Sequence, residues 1–141
     1  MSMEIINHKN EVFRIHIQDY MRPFKPEFYF DSNWLKGEIE ISSADHRNII
    51  QLEFMQVEEL VKLVEWIEKI ADKEKRDETI FDFIDPLMRF RLWKRGRNEL
   101  LKFIYHSEDK SIYTWDMVLK EENVQEFKNQ VQELLIRFPI R

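Results

Sequence analysis

A chain of 141 residues with 43% apolar residues has the material for one buried core, and the absence of cysteine excludes disulfides, thiolate zinc sites and cysteine nucleophiles. No stretch approaches the length of a membrane span, and Met1 to Tyr20 mixes Glu4, His8, Lys9, Glu11 and Arg14 into its apolar residues, so it offers no signal-peptide core. The expectation is a single domain over residues 1–141 that stays in the cytoplasm. A net charge of −5 suits a grip on phosphate backbones poorly, although Arg89, Arg91, Lys94, Arg95 and Arg97 form a cluster with no acid inside it.

Glu11 to Gln18 alternates, with Phe13, Ile15 and Ile17 on one face, as a half-buried strand does. Asp19 to Asn33 contains Pro23 and Pro26 and reads as an ordered loop. Leu35, Ile39 and Ile41 then alternate with Lys36, Glu38 and Glu40, Ser42 to Asn48 makes a turn, and Ile50, Leu52 and Phe54 point one way as a hairpin partner. From Val57 the period becomes helical, with Leu60, Val61, Val64, Ile67 and Ala71 on one stripe to near Asp72. Leu63, Trp66 and Ile70 widen that apolar surface beyond half the circumference, so this helix is either covered on two sides or touches a partner.

A charged link, Lys73 to Glu78, leads to four further strands: Thr79 to Phe83, Leu87 to Trp93, Leu100 to His106 and Ile112 to Leu119. Val124, Phe127, Val131, Leu134, Leu135 and Phe138 then line one face of a closing helix, with Glu121 and Glu122 at its positive end and Pro139 as its stop. The order is three strands, helix, four strands, helix. It predicts an α+β fold: an antiparallel sheet of about seven strands with two helices packed on one face, and a weak structural repeat.

Chemistry is sparse. His8, His16, His46 and His106 stand far apart, none at a metal-ligand spacing from another. Carboxylate pairs such as Asp19 with Asp31, or Asp82 with Asp85, arise readily in an acidic chain. The two glycines, Gly37 and Gly96, make no phosphate-cradling loop and no nucleophile elbow. No catalytic residue, cofactor site or metal ligand is therefore assigned, and the chain is expected not to be an enzyme. Arg89 to Arg97, with Phe90 and Trp93 interleaved, is the candidate nucleic-acid surface; its plainer explanation is a solvated strand face opposite buried Met88, Phe90 and Leu92.

The loop Phe24 to Trp34 carries Phe24, Phe28, Tyr29, Phe30 and Trp34, which either lid the core or form a recognition surface. Glu65, Glu68 and Asp72 follow one another at three- and four-residue steps on the first helix, away from its apolar stripe. The candidate partner-binding residues are accordingly Phe28, Tyr29 and Asp31 in the loop and Glu65, Glu68 and Asp72 on the helix. They fit a basic protein partner better than nucleic acid or a membrane.

Asp31, Asn33, Trp34 and Leu35, with the strand that follows to Ile41, resemble the D-x-N-W-L segment of the WapI-type immunity proteins of bacteria. The similarity extends through Leu52 to Leu63, through Phe81 to Leu92 with Asp85-Pro86, and to Leu134 to Arg141 with Phe138-Pro139. The resemblance implies a small cytoplasmic protein that binds and neutralises the carboxy-terminal domain of a contact-delivered toxin, a tRNA-cleaving nuclease in the best-known pairing. It brings no catalytic residues with it.

Overall fold

The computed structural model describes residues 1–28, 32–71, 79–84 and 87–141, apart from the side chains of residues 28, 52–54, 71 and 95. In chain order the elements are β1 (Ser2–Ile6), β2 (Val12–Tyr20), a 3-10 turn (Pro26–Phe28), β3 (Trp34–Ser42), β4 (Arg47–Gln56) and α1 (Val57–Ala71). They continue as β5 (Thr79–Asp82), β6 (Met88–Arg95), β7 (Asn98–His106), β8 (Ile112–Val118) and α2 (Glu121–Arg137). The fold is α+β and antiparallel, but the single sheet of about seven strands is not found. Among the described residues two four-stranded sheets replace it, β1-β2-β3-β4 and β5-β6-β7-β8.

Two physical causes separate expectation from structure. β1 is short, and only Met3 and Ile5 mark its inner face, yet Met1 and Ile17 close its ladder with bonds of 3.0 and 2.9 Å. The second cause is α1, which begins directly after β4 and parts the strands into two meanders, each closed by tight turns and followed by a helix. Gly96 sits at φ 63° in the β6–β7 turn, a conformation that costs glycine nothing.

One continuous cluster of buried side chains joins both halves. At its centre Phe13 of the first sheet meets Phe90, Phe103 and Trp115 of the second, at ring separations of 5.6, 4.7 and 5.4 Å. Phe127 of α2 and Trp66 of α1 both reach Phe90, at 5.5 and 6.2 Å. α1 is covered on two sides: Leu60, Leu63, Val64, Trp66, Ile67 and Ile70 are all buried, which resolves the alternative left by its wide apolar surface. α2 buries Val124, Phe127, Val131 and Leu134 as its spacing predicts, and Leu135 lies half-buried beside them.

The ladders also fix which backbone groups face outward. Ser43 N donates to His46 O at 2.7 Å, so that pair is a bonded one. Bonded and non-bonded pairs alternate in an antiparallel ladder. Counting along the β3–β4 register, Ile41 with Asn48 and Ile39 with Ile50 are bonded, and Arg47, Ile49 and Gln51 turn their N–H and C=O groups away from β3.

Candidate functional site

At or beside three of the sheet edges a side chain binds one residue's outward backbone groups. Counting from the Met1–Ile17 pair turns Glu4 of β1 outward, and there Gln130 of α2 accepts from Glu4 N at 2.6 Å and donates to Glu4 O at 2.7 Å. On β8 the outward Asp116 carbonyl accepts from Asn7 Nδ2 at 2.7 Å. Beyond β5, Ile84 N donates to the buried Glu59 carboxylate at 2.5 Å. Glu59 also accepts from Gln56 N at 2.7 Å, so one carboxylate caps α1 and holds the end of the second sheet.

β4 is different. Among the described residues, no hydrogen bond is made to the outward backbone groups of Arg47, Ile49 and Gln51. A groove of about 470 Å³ runs beside them, lined by Arg47 to Gln51 on one wall and by Tyr105, Ser107, Glu108, Asp109 and Tyr113 of the β7–β8 hairpin on the other. Tyr105 and Tyr113 are paired there at 6.2 Å between ring centroids. Asp109 accepts from Ser107 Oγ and, at 3.0 Å, from Ser111 N. Those bonds, the Ser107 hydroxyl first, hold its carboxyl below the usual value.

The outer face of the first sheet is occupied by ion pairs. Arg14 Nη2 meets Glu4 Oε2 and Arg14 Nη1 meets Glu40 Oε2, each at 2.6 Å, while Arg47 Nε binds the other Glu40 oxygen. The chain of alternating charges neutralises itself, and the Glu4 hydrogen bond above all raises the Arg14 pKa. Beside it Ser2 Oγ lies 2.7 Å from His16 Nδ1, and His16 faces Glu38 across the ladder. This row has the composition of a hydrolytic triad without its architecture. No hydrogen bond joins His16 to Glu38, and on an open ladder the N–H groups of β2 and β3 are spent on neighbouring strands.

Within the D-x-N-W-L segment, Asn33 forms a structural clasp. Asn33 is buried; its Oδ1 accepts from Arg141 N at 2.8 Å, its Nδ2 donates to Arg141 O at 3.3 Å, and its own carbonyl accepts from Val57 N at 3.0 Å. The Arg141 guanidinium lies 3.8 Å from the Tyr20 ring centroid and donates to Arg22 O at 2.7 Å and Ser32 O at 2.5 Å. Tyr20 donates its hydroxyl to Pro139 O, and burial above all raises its pKa. Nothing in the sequence pointed to this clasp except the asparagine itself, a side chain able to mimic a backbone pair.

Of the expected site residues, the structure describes only Glu65, Glu68 and the Phe28 backbone. Tyr29, Asp31 and Asp72 lie outside the described residues, as does the Phe28 side chain; Phe28 closes the 3-10 turn. Glu65 and Glu68 are exposed on α1, but Glu68 pairs with Lys128 of α2 at 3.3 Å, and Lys62 and Lys69 share the same helix surface. The row is therefore charge-compensated rather than purely acidic.

In the basic strand Met88, Phe90 and Leu92 are buried, Arg89 pairs with Asp82 at 3.0 Å, and Arg91 stacks over Trp93 at 4.9 Å. Of the paired carboxylates, Asp85 and Asp31 fall outside the described residues, and the Asp19 carboxylate accepts from Tyr20 N at 2.7 Å. Among the described residues no group of three or more His, Asp or Glu is placed to hold a metal, and no helix is long and apolar enough to cross a membrane.

Among the described residues, two antiparallel sheets and two helices define an α+β protein, with a groove beside the outward edge of β4. No curated protein matches the sequence. Residues 4–139 match the immunity protein WapI-like family, and the chain belongs to that family. Membership implies a cognate toxin as partner, in a family that is generally non-catalytic.

Proposed function

We propose that this chain is a non-catalytic immunity protein of one domain that binds and neutralises the domain of a contact-delivered toxin in the cytoplasm. The observation that carries this reading is the family match over residues 4–139. The toxin domain is a basic one, a tRNA-cleaving nuclease being the first to test, because a nuclease presents cations to phosphates and a chain of net charge −5 steers toward such a surface. The disposition of charged groups supports binding over catalysis: Glu4, Glu40, Glu59 and Glu68 are each engaged by a cation or a backbone N–H.

The test is to sequence the reading frames flanking the gene and to mix the purified chain with the carboxy-terminal domain of a large secreted protein found there. A one-to-one complex by light scattering, with loss of the toxin's activity, is expected. No complex at micromolar concentrations would refute the reading. An RNA-binding arm, titrated at low and high salt, separates this role from a nucleic-acid module using Arg89 to Arg97.

A further inference from the structure

We infer that the toxin domain docks by adding an extended strand of its own to the outer edge of β4 along Arg47 to Gln51. The inference rests on the proposed neutralising role and names the surface that performs it. Three alternate residues, Arg47, Ile49 and Gln51, present backbone donors and acceptors outward in register, which is what an added antiparallel or parallel strand pairs with. At three other points on the sheet margins a side chain occupies an outward backbone group, Gln130 at Glu4, Asn7 at Asp116 and Glu59 at Ile84 just beyond β5, whereas no described side chain does so along Arg47 to Gln51. β4 carries neither a proline nor a lysine over Arg47 to Gln56, the usual devices that deter pairing.

The groove specifies the chemistry of the incoming strand. Asn48 and Ile50 project to the inner side of β4, toward the same groove that Tyr105 and Tyr113 line. A strand laid along β4 therefore turns every second side chain over the tyrosine pair, where an aliphatic or aromatic residue buries best. Glu108 and Asp109 stand on the far wall, while Arg47, the cation on that stretch of β4, is committed to Glu40. The groove is acidic in effect and calls for lysine or arginine near one end of the added strand. Ile49, exposed on the opposite face, extends the apolar contact.

The experiment exploits the outward aim of the Ile49 N–H. Ile49→Pro deletes that donor without removing a β3–β4 bond, whereas Asn48→Pro deletes a ladder bond and serves as the folding control. With the toxin domain described above as probe, Ile49→Pro is expected to melt within a few degrees of the unmodified protein and to bind at least about tenfold more weakly, roughly one backbone bond's worth. Hydrogen exchange on the unmodified protein gives a second readout that needs no variant: the Ile49 and Gln51 amides exchange freely alone and slow at least about tenfold in the complex.

Tight binding by a folded Ile49→Pro, with both amides unprotected, overturns the site while leaving the neutralising role intact. No binding by the unmodified chain removes both. A dimer of the free chain with these amides protected identifies a second copy as the occupant and also overturns the assignment. If Ile49→Pro unfolds, the exchange measurement decides.

Discussion

Asn33 and Arg141 form a reciprocal pair across 108 residues of chain, the amide of one reading the backbone N–H and C=O of the other. Because Asn33 is buried, removing its side chain strands two backbone groups, which typically costs about 1–3 kcal/mol. Asn33→Ala is thus expected to lower the unfolding free energy from a urea titration by that amount, while Tyr20 and the Arg141 guanidinium still hold the terminal segment. An unchanged midpoint would show that the clasp contributes nothing to stability.

Gly37 is the least replaceable position in the first sheet. A Cβ there would lie 2.0 Å from the His16 carbonyl oxygen and 3.1 Å from Ile17 Cα, both backbone atoms that cannot step aside. The register of β3 shifts against both β2 and β4 just before this point, so the close approach is built into the strand. Gly37→Ala should cost at least about 3 kcal/mol, the upper end for overpacking, and calorimetry of the purified variant is the check.

Acid should open the β7–β8 turn late. The folded Asp109 pKa lies below its ordinary value of 3.8. Its contribution is therefore fully present above that value and lost as pH falls through the lower, folded pKa. A carbon-detected NMR titration should give Asp109 a midpoint below that of an unstructured aspartate, and Asp109→Asn should abolish the matching shift of the Ser111 amide. A midpoint at or above the ordinary value would contradict the bonding described.

Charge reversal on α1 is expected to separate steering from contact. Glu65 is exposed and Glu68 pairs with Lys128 at the surface, so Glu65→Lys with Glu68→Lys should shift stability by no more than about 1 kcal/mol. Stopped-flow mixing with the toxin domain should show slower association at low salt, a weaker salt dependence and an unaltered dissociation rate. A faster dissociation would place this row inside the interface.

Most elements were legible because their side chains alternate or recur without interruption: Phe13, Ile15 and Ile17 mark β2, and Val124, Phe127, Val131 and Leu134 mark α2. What periodicity does not carry is which strands share a sheet. Ile50 and Phe81 show the same inward pattern, yet the strands they mark belong to different sheets because α1 intervenes. The acidic row was visible in spacing, while Lys128, which neutralises part of it, comes from a distant helix. The open edge was equally invisible, since a backbone left without a neighbour has no residue type of its own.

The Gln130 amide that closes β1 has a consequence for synthesis. Its target, Glu4, leaves the ribosome 126 residues earlier. Throughout that interval a nascent first sheet has its β1 flank uncovered as well as β4, and both can pair with other chains emerging nearby. Completion of α2 brings Gln130 onto Glu4, so conditions that stall translation late in the message should favour aggregation of the nascent chain more than the finished protein's stability would suggest.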